Sequence, residues 1–188
     1  DKAIVYGTDI KMPMGFVTRL AQAAKPSDWS NKAPAWENLS SSHVLTITGK
    51  EGKELFKEIT LKSGLVRTDY SDSPITWIMN ETTKNNLVAE GIDVNSSAAI
   101  VSGINGTMPV VGGDIVTLNF MADGDIAFGH LDLYLMAERA GVQIAMSEHA
   151  RFVQDQTLFK GTARYDGMPV FGEAFGIMNI NGEAPTTS

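Results

Sequence analysis

The stretch from Phe152 to Ile180, FVQDQTLFKGTARYDGMPVFGEAFGIMNI, decides how the rest of the chain is read. Between Thr157 and Tyr165 the odd positions Phe159, Ala163 and Tyr165 fall on one side, and Leu158, Lys160, Thr162 and Arg164 on the other. A period of two with one polar side marks a strand with two unlike faces. Asp166-Gly167 tolerates positive φ, so a tight reversal is expected there, with Met168-Pro169-Val170 leading away to a core.

Working outward, Val142, Ile144 and Met146 alternate in VQIAMSE, which pairs plausibly with the Thr157–Tyr165 strand across the loop Glu148–Asp155. AAIVSGI, DIVTLNF and LDLYLMAE also read as β segments, separated by a Met108-Pro109-Val110-Val111-Gly112-Gly113 loop and an Ala122-Asp123-Gly124-Asp125 turn. A largely antiparallel sheet is expected. Earlier, HVLTIT (His43–Thr48) reads as a strand, and Thr48-Gly49-Lys50-Glu51 has the capping-box pattern of a helix start. Leu55, Phe56, Ile59 and later Leu65 and Val66 then share a helical face, opposite Lys53, Glu54, Lys57, Glu58 and Lys62. Ser73-Pro74 opens a buried strand Ile75–Met79, and Asn80 caps a second helix that is expected to end before Gly91. Near the start GFVTRLA looks strand-like, and the turn-rich run from Ala21 to Ser42 reads as a loop pinned by Trp29 and Trp36. The fold class is α+β.

With 188 residues the chain can bury roughly 70% of its unfolded surface, enough for a core without disulfides or a metal. The hydrophobic fraction of 43% and charged fraction of 20% are globular values, which argue against long disorder. Fifteen basic against 22 acidic residues give a net charge of −7 with no Lys/Arg run, which disfavours direct nucleic-acid binding. The absence of cysteine removes thiolate nucleophiles and Cys-bound zinc. No apolar run approaches the roughly 20 residues of a membrane span. The sequons at Asn38, Asn80 and Asn105 and the Asn95-Ser96-Ser97 run read as chance matches. Asp1–Gly7 enters an apolar segment at once, like the tail of an element, so a fragment of a longer protein is expected.

Chemistry-bearing constellations are weak. His43, His130 and His149 have no metal-ligand spacing. Asp123-Gly124-Asp125 with Asp114 lacks the spacing of a calcium loop, and Glu138, Glu148 and Glu173 form no pair that sequence can measure. No nucleophile motif and no phosphate loop occurs. No catalytic, cofactor-binding or metal-ligating residue is therefore assigned.

The segment Ser147-Glu148-His149-Ala150-Arg151-Phe152, then Leu158–Arg164, Asp166-Gly167, Val170 and Glu173-Ala174-Phe175, resembles the C-terminal end of tailed-phage major capsid proteins. Ala3–Thr8 with Met14-Gly15-Phe16 is similar to the end of that family's spine helix and its following turn. Trp77–Thr83 with Leu87 is similar to the strand and helix of its axial domain, and Met108-Pro109 with Gly113-Asp114 to the loop that follows. The ordered set spans nearly all of the chain.

The resemblance implies a Hong Kong 97-type capsid fold: helices on a mixed or antiparallel sheet, plus a long β-hairpin. Residues 1–6 would end the spine helix, 7–135 form the axial domain, 136–170 the peripheral strands, and 171–188 the return strand and tail. It further implies a non-enzymatic shell subunit in the virion of a phage or prophage, assembled in bacterial cytoplasm. Its partners would be copies of itself, with no membrane and no specific nucleic acid, and a monomeric fragment is compatible with it. The family's N-terminal arm, extended loop and most of the spine helix would precede Asp1, so one face of the hairpin is expected to show an exposed apolar patch or to be covered by a neighbouring molecule. Wholly buried Phe159 and Tyr165 would count against this. Two other functions stay open: an encapsulin-like compartment shell, and a small-molecule enzyme or binding domain using Trp29, Trp36 and His43.

Overall fold

The computed structural model describes the chain apart from residues 28, 30–34, 49, 67, 68, 70, 148–156 and 188. Its elements run α1 (Lys2–Tyr6), α2 (Phe16–Ala21), β1 (Val44–Thr46), α3 (Gly52–Ser63), β2 (Thr76–Met79), α4 (Glu81–Asn105), β3 (Ile115–Thr117), β4 (Asp125–Gly129), β5 (Tyr134–Ser147), β6 (Leu158–Pro169) and β7 (Phe175–Asn179). Short 3₁₀ turns precede β5 and β7.

Five strands form one sheet in the order β1-β7-β4-β2-β3. β4 runs antiparallel to β2 and β7, whereas β1–β7 and β2–β3 are parallel pairs, so the sheet is mixed and not largely antiparallel. Alternate residues of its central strands feed two cores. Trp77, Met79, Ile126, Phe128 and Met178 pack on the side of α3, with Leu55, Phe56 and Ile59. Ile78, Ala127, Phe175 and Ile177 pack on the side of α1 and α2, with Val5, Phe16, Val17 and Leu20. Stacked rings tie sheet to layers, Trp77 on Phe128 at 5.3 Å and Phe16 on Phe175 at 4.9 Å. Gly176 leaves room for the Phe128 ring, against which any Cβ would clash.

Several elements depart from expectation, each for a physical reason. GFVTRLA is the helix α2, because Phe16, Val17 and Leu20 at helical spacing are all buried against the sheet. The second helix does not end before Gly91: α4 comprises two helical stretches joined by a kink at the non-helical Asn95, and AAIVSGI lies in the second of them. Its cap is as expected, with Asn80 Oδ1 accepting the Thr83 N–H at 2.7 Å. The Thr48–Glu51 pattern does not close a capping box; Glu51 is the N-cap without a side-chain bond, and Glu90 Oε2 accepts the Gly52 N–H at 2.7 Å. Gly49 of that pattern lies outside the described residues. Helix α3 stops at Ser63, so Val66 reaches the core from the following turn while Leu65 stays exposed.

The hairpin differs most. Tyr134–Ser147 is one strand, joining most of LDLYLMAE to VQIAMSE through irregular steps near Ala140, and it pairs antiparallel with β6. The expected pairing holds, with Gln143 opposite Thr162 and Met146 opposite Phe159. Asp166-Gly167 is not a reversal: both residues lie inside β6, opposite Ala137 and Met136. The expected loop Glu148–Asp155 lies wholly outside the described residues.

Candidate interaction surface

The hairpin is tied to the body at its base. The Tyr134 hydroxyl donates to the Met14 carbonyl at 2.9 Å, and the Met14 N–H donates to the Gly167 carbonyl at 2.8 Å. The Val170 N–H closes the base on the Leu133 carbonyl at 2.9 Å. Burial, reinforced by Asp166 and Asp9, pushes the Tyr134 hydroxyl up to about 12, so it stays a donor at neutral pH. Gly167 and Pro169 are buried and Tyr134 is half-buried, whereas residues 135–139, 141–146, 159–166 and 168 are exposed.

Register sorts those residues onto two faces. Phe159, Ala163 and Tyr165 of β6 lie with Met146, Ile144, Glu138 and Met136 of β5. Phe159 is 67% exposed, Ile144 74% and Tyr165 47%, so this face is an uncovered apolar stripe interrupted by one carboxylate. Small apolar groups scattered on a surface need no explanation, but a contiguous stripe on one ribbon marks a contact face. Lys160, Thr162 and Arg164 take the opposite face beside Gln143. Arg139, Gln143, Lys160, Thr162 and Arg164 line an open groove there of about 610 Å³. Sequence reading found the alternation on β6, but not the arginine from β5 that joins it.

A second exposed feature is the loop that follows α4. Met108 and Pro109 are buried, the Trp77 indole N–H donates to the Gly112 carbonyl at 2.8 Å, and Gly113 sits against the Ile75 carbonyl. At the tip Val110 is 76% exposed with φ at +70°. A firmly anchored loop thus holds an apolar side chain out in solvent.

In the Trp29, Trp36 and His43 region the described contacts hold a loop against a helix. The two indoles meet edge to face at 5.1 Å, and the Arg19 guanidinium lies 3.8 Å over Trp36. Arg19 also donates to the Glu37 carbonyl at 3.3 Å, so these groups pin the loop to α2. His43 is buried, with Nδ1 2.8 Å from the Ser42 hydroxyl. Burial lowers its pKa below the ordinary value, opposed by Glu173. None of the four clefts lined by Lys50 and Glu90, by Met14 and Met168, by Lys11 and Tyr165, or by Lys160 and Gln143 includes these three residues.

Among the described polar candidates, Asp114, Asp123 and Asp125 make bonds that serve the fold. His130 is buried at the end of β4, and His149 and Glu148 lie outside the described residues. Asp125 accepts from Asn179 Nδ2 at 2.7 Å and from the Thr186 N–H at 2.9 Å, which fastens the tail across the sheet. Asp123 accepts from Asn80 at 2.6 Å, and the Asp114 carbonyl from the Trp77 N–H at 2.8 Å. Glu138 lies on the hairpin and Glu173 in the turn before β7. Among the described residues no group of three or more His, Asp or Glu side chains could hold a metal ion, and no helix is long and apolar enough to cross a membrane.

Comparison with known proteins adds three findings. The family model described as the phage capsid family matches residues 1–180. No curated protein sequence matches the chain. Among solved structures, the capsid of an empty GTA particle computed with C5 symmetry superposes with a TM-score of 0.63 at 16% identity, over 95% of this chain and 60% of that one. A satellite phage P4 procapsid that includes the size determination protein superposes with a TM-score of 0.56 at 13% identity, over 89% and 50%. At these identities the likeness is one of fold, and the chain spans about half to three-fifths of those two chains.

Proposed function

The chain belongs to the phage capsid family, and from that premise we propose that it is a structural subunit of a viral shell, working by self-association and not by catalysis. The observation that carries this reading is the apolar face of the hairpin, Met136, Ile144, Met146, Phe159 and Tyr165, which is exposed in the single chain. An apolar stripe of this kind costs solubility unless further polypeptide covers it, whether the spine helix that the resemblance places before Asp1 or a neighbouring copy, and we read it as a face buried in the assembled shell. The hairpin then corresponds to the peripheral strands at 136–170, and the five-stranded sheet with its helices to the axial part, completed by the strand of 171–188.

Shell formation in this reading is geometric. Rigid subunits meet through unlike patches around rotation axes, and ring closure follows from the angle between those patches. The Val110 loop is a second contact element, since it is anchored at both ends and apolar at its tip. The particle would be the place of action, and other copies of the chain the partners. Electron microscopy of the natural gene product tests the proposal: closed particles or capsomer rings are expected. A uniform monomer at high concentration would overturn it.

A further inference from the structure

The polar face of the hairpin carries a charge pattern that self-association through the apolar face does not require. Lys160 and Arg164 stand four residues apart on β6, about 13 Å at strand rise, with Arg139 from β5 in the same groove. Lys11 extends the cationic side through an adjoining groove shared with Arg139 and Arg164. Asp9 and Asp166 lie in that adjoining groove, and Asp166 Oδ1 already accepts the Gly167 N–H. Arg139, Lys160 and Arg164 are exposed and make no ion pair among the described residues.

The rest of the molecule has the opposite sign. Residues 134–169 contain four basic and four acidic side chains, which leaves 11 basic against 18 acidic elsewhere and hence the whole net charge of −7. One acidic group is well defined. The Ser71 hydroxyl donates to Asp132 Oδ2 at 2.6 Å, which joins the segment carrying exposed Asp69 and Asp72 to the turn before β5. Hydrogen bonds from Ser71 and Ser73 hold the Asp132 carboxyl below the usual carboxylate range, so it is ionised at neutral pH.

Resting on the shell reading, we propose that the groove of Arg139, Lys160 and Arg164 docks the acidic patch of Asp72 and Asp132 on a second copy of this chain. The two patches differ, so the contact is head to tail, the type that closes into rings. An acidic second copy fits this charge distribution better than a polynucleotide, because the same surplus negative charge that attracts the groove of a neighbour repels phosphate from the molecule at longer range. Exposed charges of this kind set orientation and encounter rate more than total affinity.

Sedimentation velocity on the intact chain at 50 mM and 500 mM NaCl tests this with three samples: wild type, Arg139→Glu/Arg164→Glu, and Asp72→Lys/Asp132→Lys. Association of the wild type is expected at 50 mM and at least tenfold weaker at 500 mM. Each double variant is expected to lose tenfold or more in association at 50 mM, and an equimolar mixture of the two to regain it, because each supplies the patch that fits the other. All four substituted side chains are exposed, so circular dichroism should be unchanged in both variants and melting temperature unchanged in Arg139→Glu/Arg164→Glu, whereas Asp132→Lys also removes the Ser71 bond and should lower melting temperature slightly. Undiminished association in the variants, no recovery on mixing, or a monomeric wild type at 50 mM salt would overturn the proposal. So would salt-dependent binding of a fluorescent single-stranded oligodeoxynucleotide that Arg139→Glu/Arg164→Glu abolishes, since the groove would then serve nucleic acid. Closed particles formed by the groove variant of the natural gene product would sink this contact and leave the shell reading standing, whereas absence of particles from the unsubstituted natural gene product would sink both.

Discussion

Val110 holds a left-handed backbone at φ +70°, a conformation that a β-branched side chain adopts only under constraint. The constraint is visible in the buried Met108, the Gly112 N–H to Met108 carbonyl bond at 3.0 Å and the Trp77 bond to Gly112. Replacing Val110 with glycine removes strain of about 1–3 kcal/mol and adds back about 0.5–1 kcal/mol of unfolded-state entropy. A net gain of about 1 kcal/mol is expected, read as a rise of about 2–4 °C in melting temperature for a chain of this size; a fall would mean the backbone is not strained there. His43 sets a different dependence. Its folded pKa is depressed below the ordinary 6.5 by burial, so the unfolded chain binds the proton more readily. The contribution is therefore level above pH 6.5, and stability falls as pH drops below it. Wild type should lose more melting temperature between pH 7.5 and 5.5 than His43→Asn, in which the amide oxygen stands in for Nδ1 toward Ser42; equal slopes would assign the acid sensitivity elsewhere.

At the scale of elements, the apolar face of the hairpin separates folding from assembly. Ile144 and Phe159 are exposed, so Ile144→Asp and Phe159→Asp should each change chain stability by no more than about 0.5 kcal/mol. Both should lower the binding of a hydrophobic dye and weaken self-association; a large drop in melting temperature would show instead that the face is covered within the chain. Tyr134→Phe acts at the root, where loss of the bond to Met14 should cost about 1 kcal/mol in chemical denaturation. The two faces were legible in sequence because alternation is a property of the strand alone. The direction of Asp166-Gly167 was not. Its turn chemistry is overridden by pairing with β5, and Gly167 serves close packing instead, since a Cβ there would lie 2.9 Å from the Leu135 carbonyl and the Tyr134 ring. AAIVSGI misled for another reason, because a short apolar run has the same composition in a buried strand and in a helix. The strand β4 escaped reading altogether: all of DIAFG is buried on both faces, so it shows no alternation to find. The basic groove needs an arginine beside an irregular step of β5, and no local spacing places Arg139 with Lys160.

Taken whole, the molecule joins two parts of unequal cohesion. The five-stranded sheet is packed on both faces, stapled by stacked Trp77 and Phe128, and crossed by a tail held on buried Asp125. The hairpin beyond Gly167 is a two-stranded ribbon with no described core of its own, and a ribbon of that kind is marginal in water. Opening it exposes little further apolar surface, whereas opening the sheet exposes both cores, so the two should not open together. Hydrogen exchange of the intact chain under native conditions is the measurement. Amides of Gln143–Met146 and Phe159–Arg164 should exchange at a free energy several kcal/mol below those of Ile78, Ala127 and Ile177, which should approach the global value. Covering the apolar face by assembly removes that difference, because ribbon opening then requires leaving a neighbour. Protection of the hairpin should therefore rise with protein concentration while protection of the central strands stays fixed. Hairpin amides as slow as those of β4 in a dilute monomer would mean that the ribbon is held by something within the chain, and the face would no longer be free for a partner.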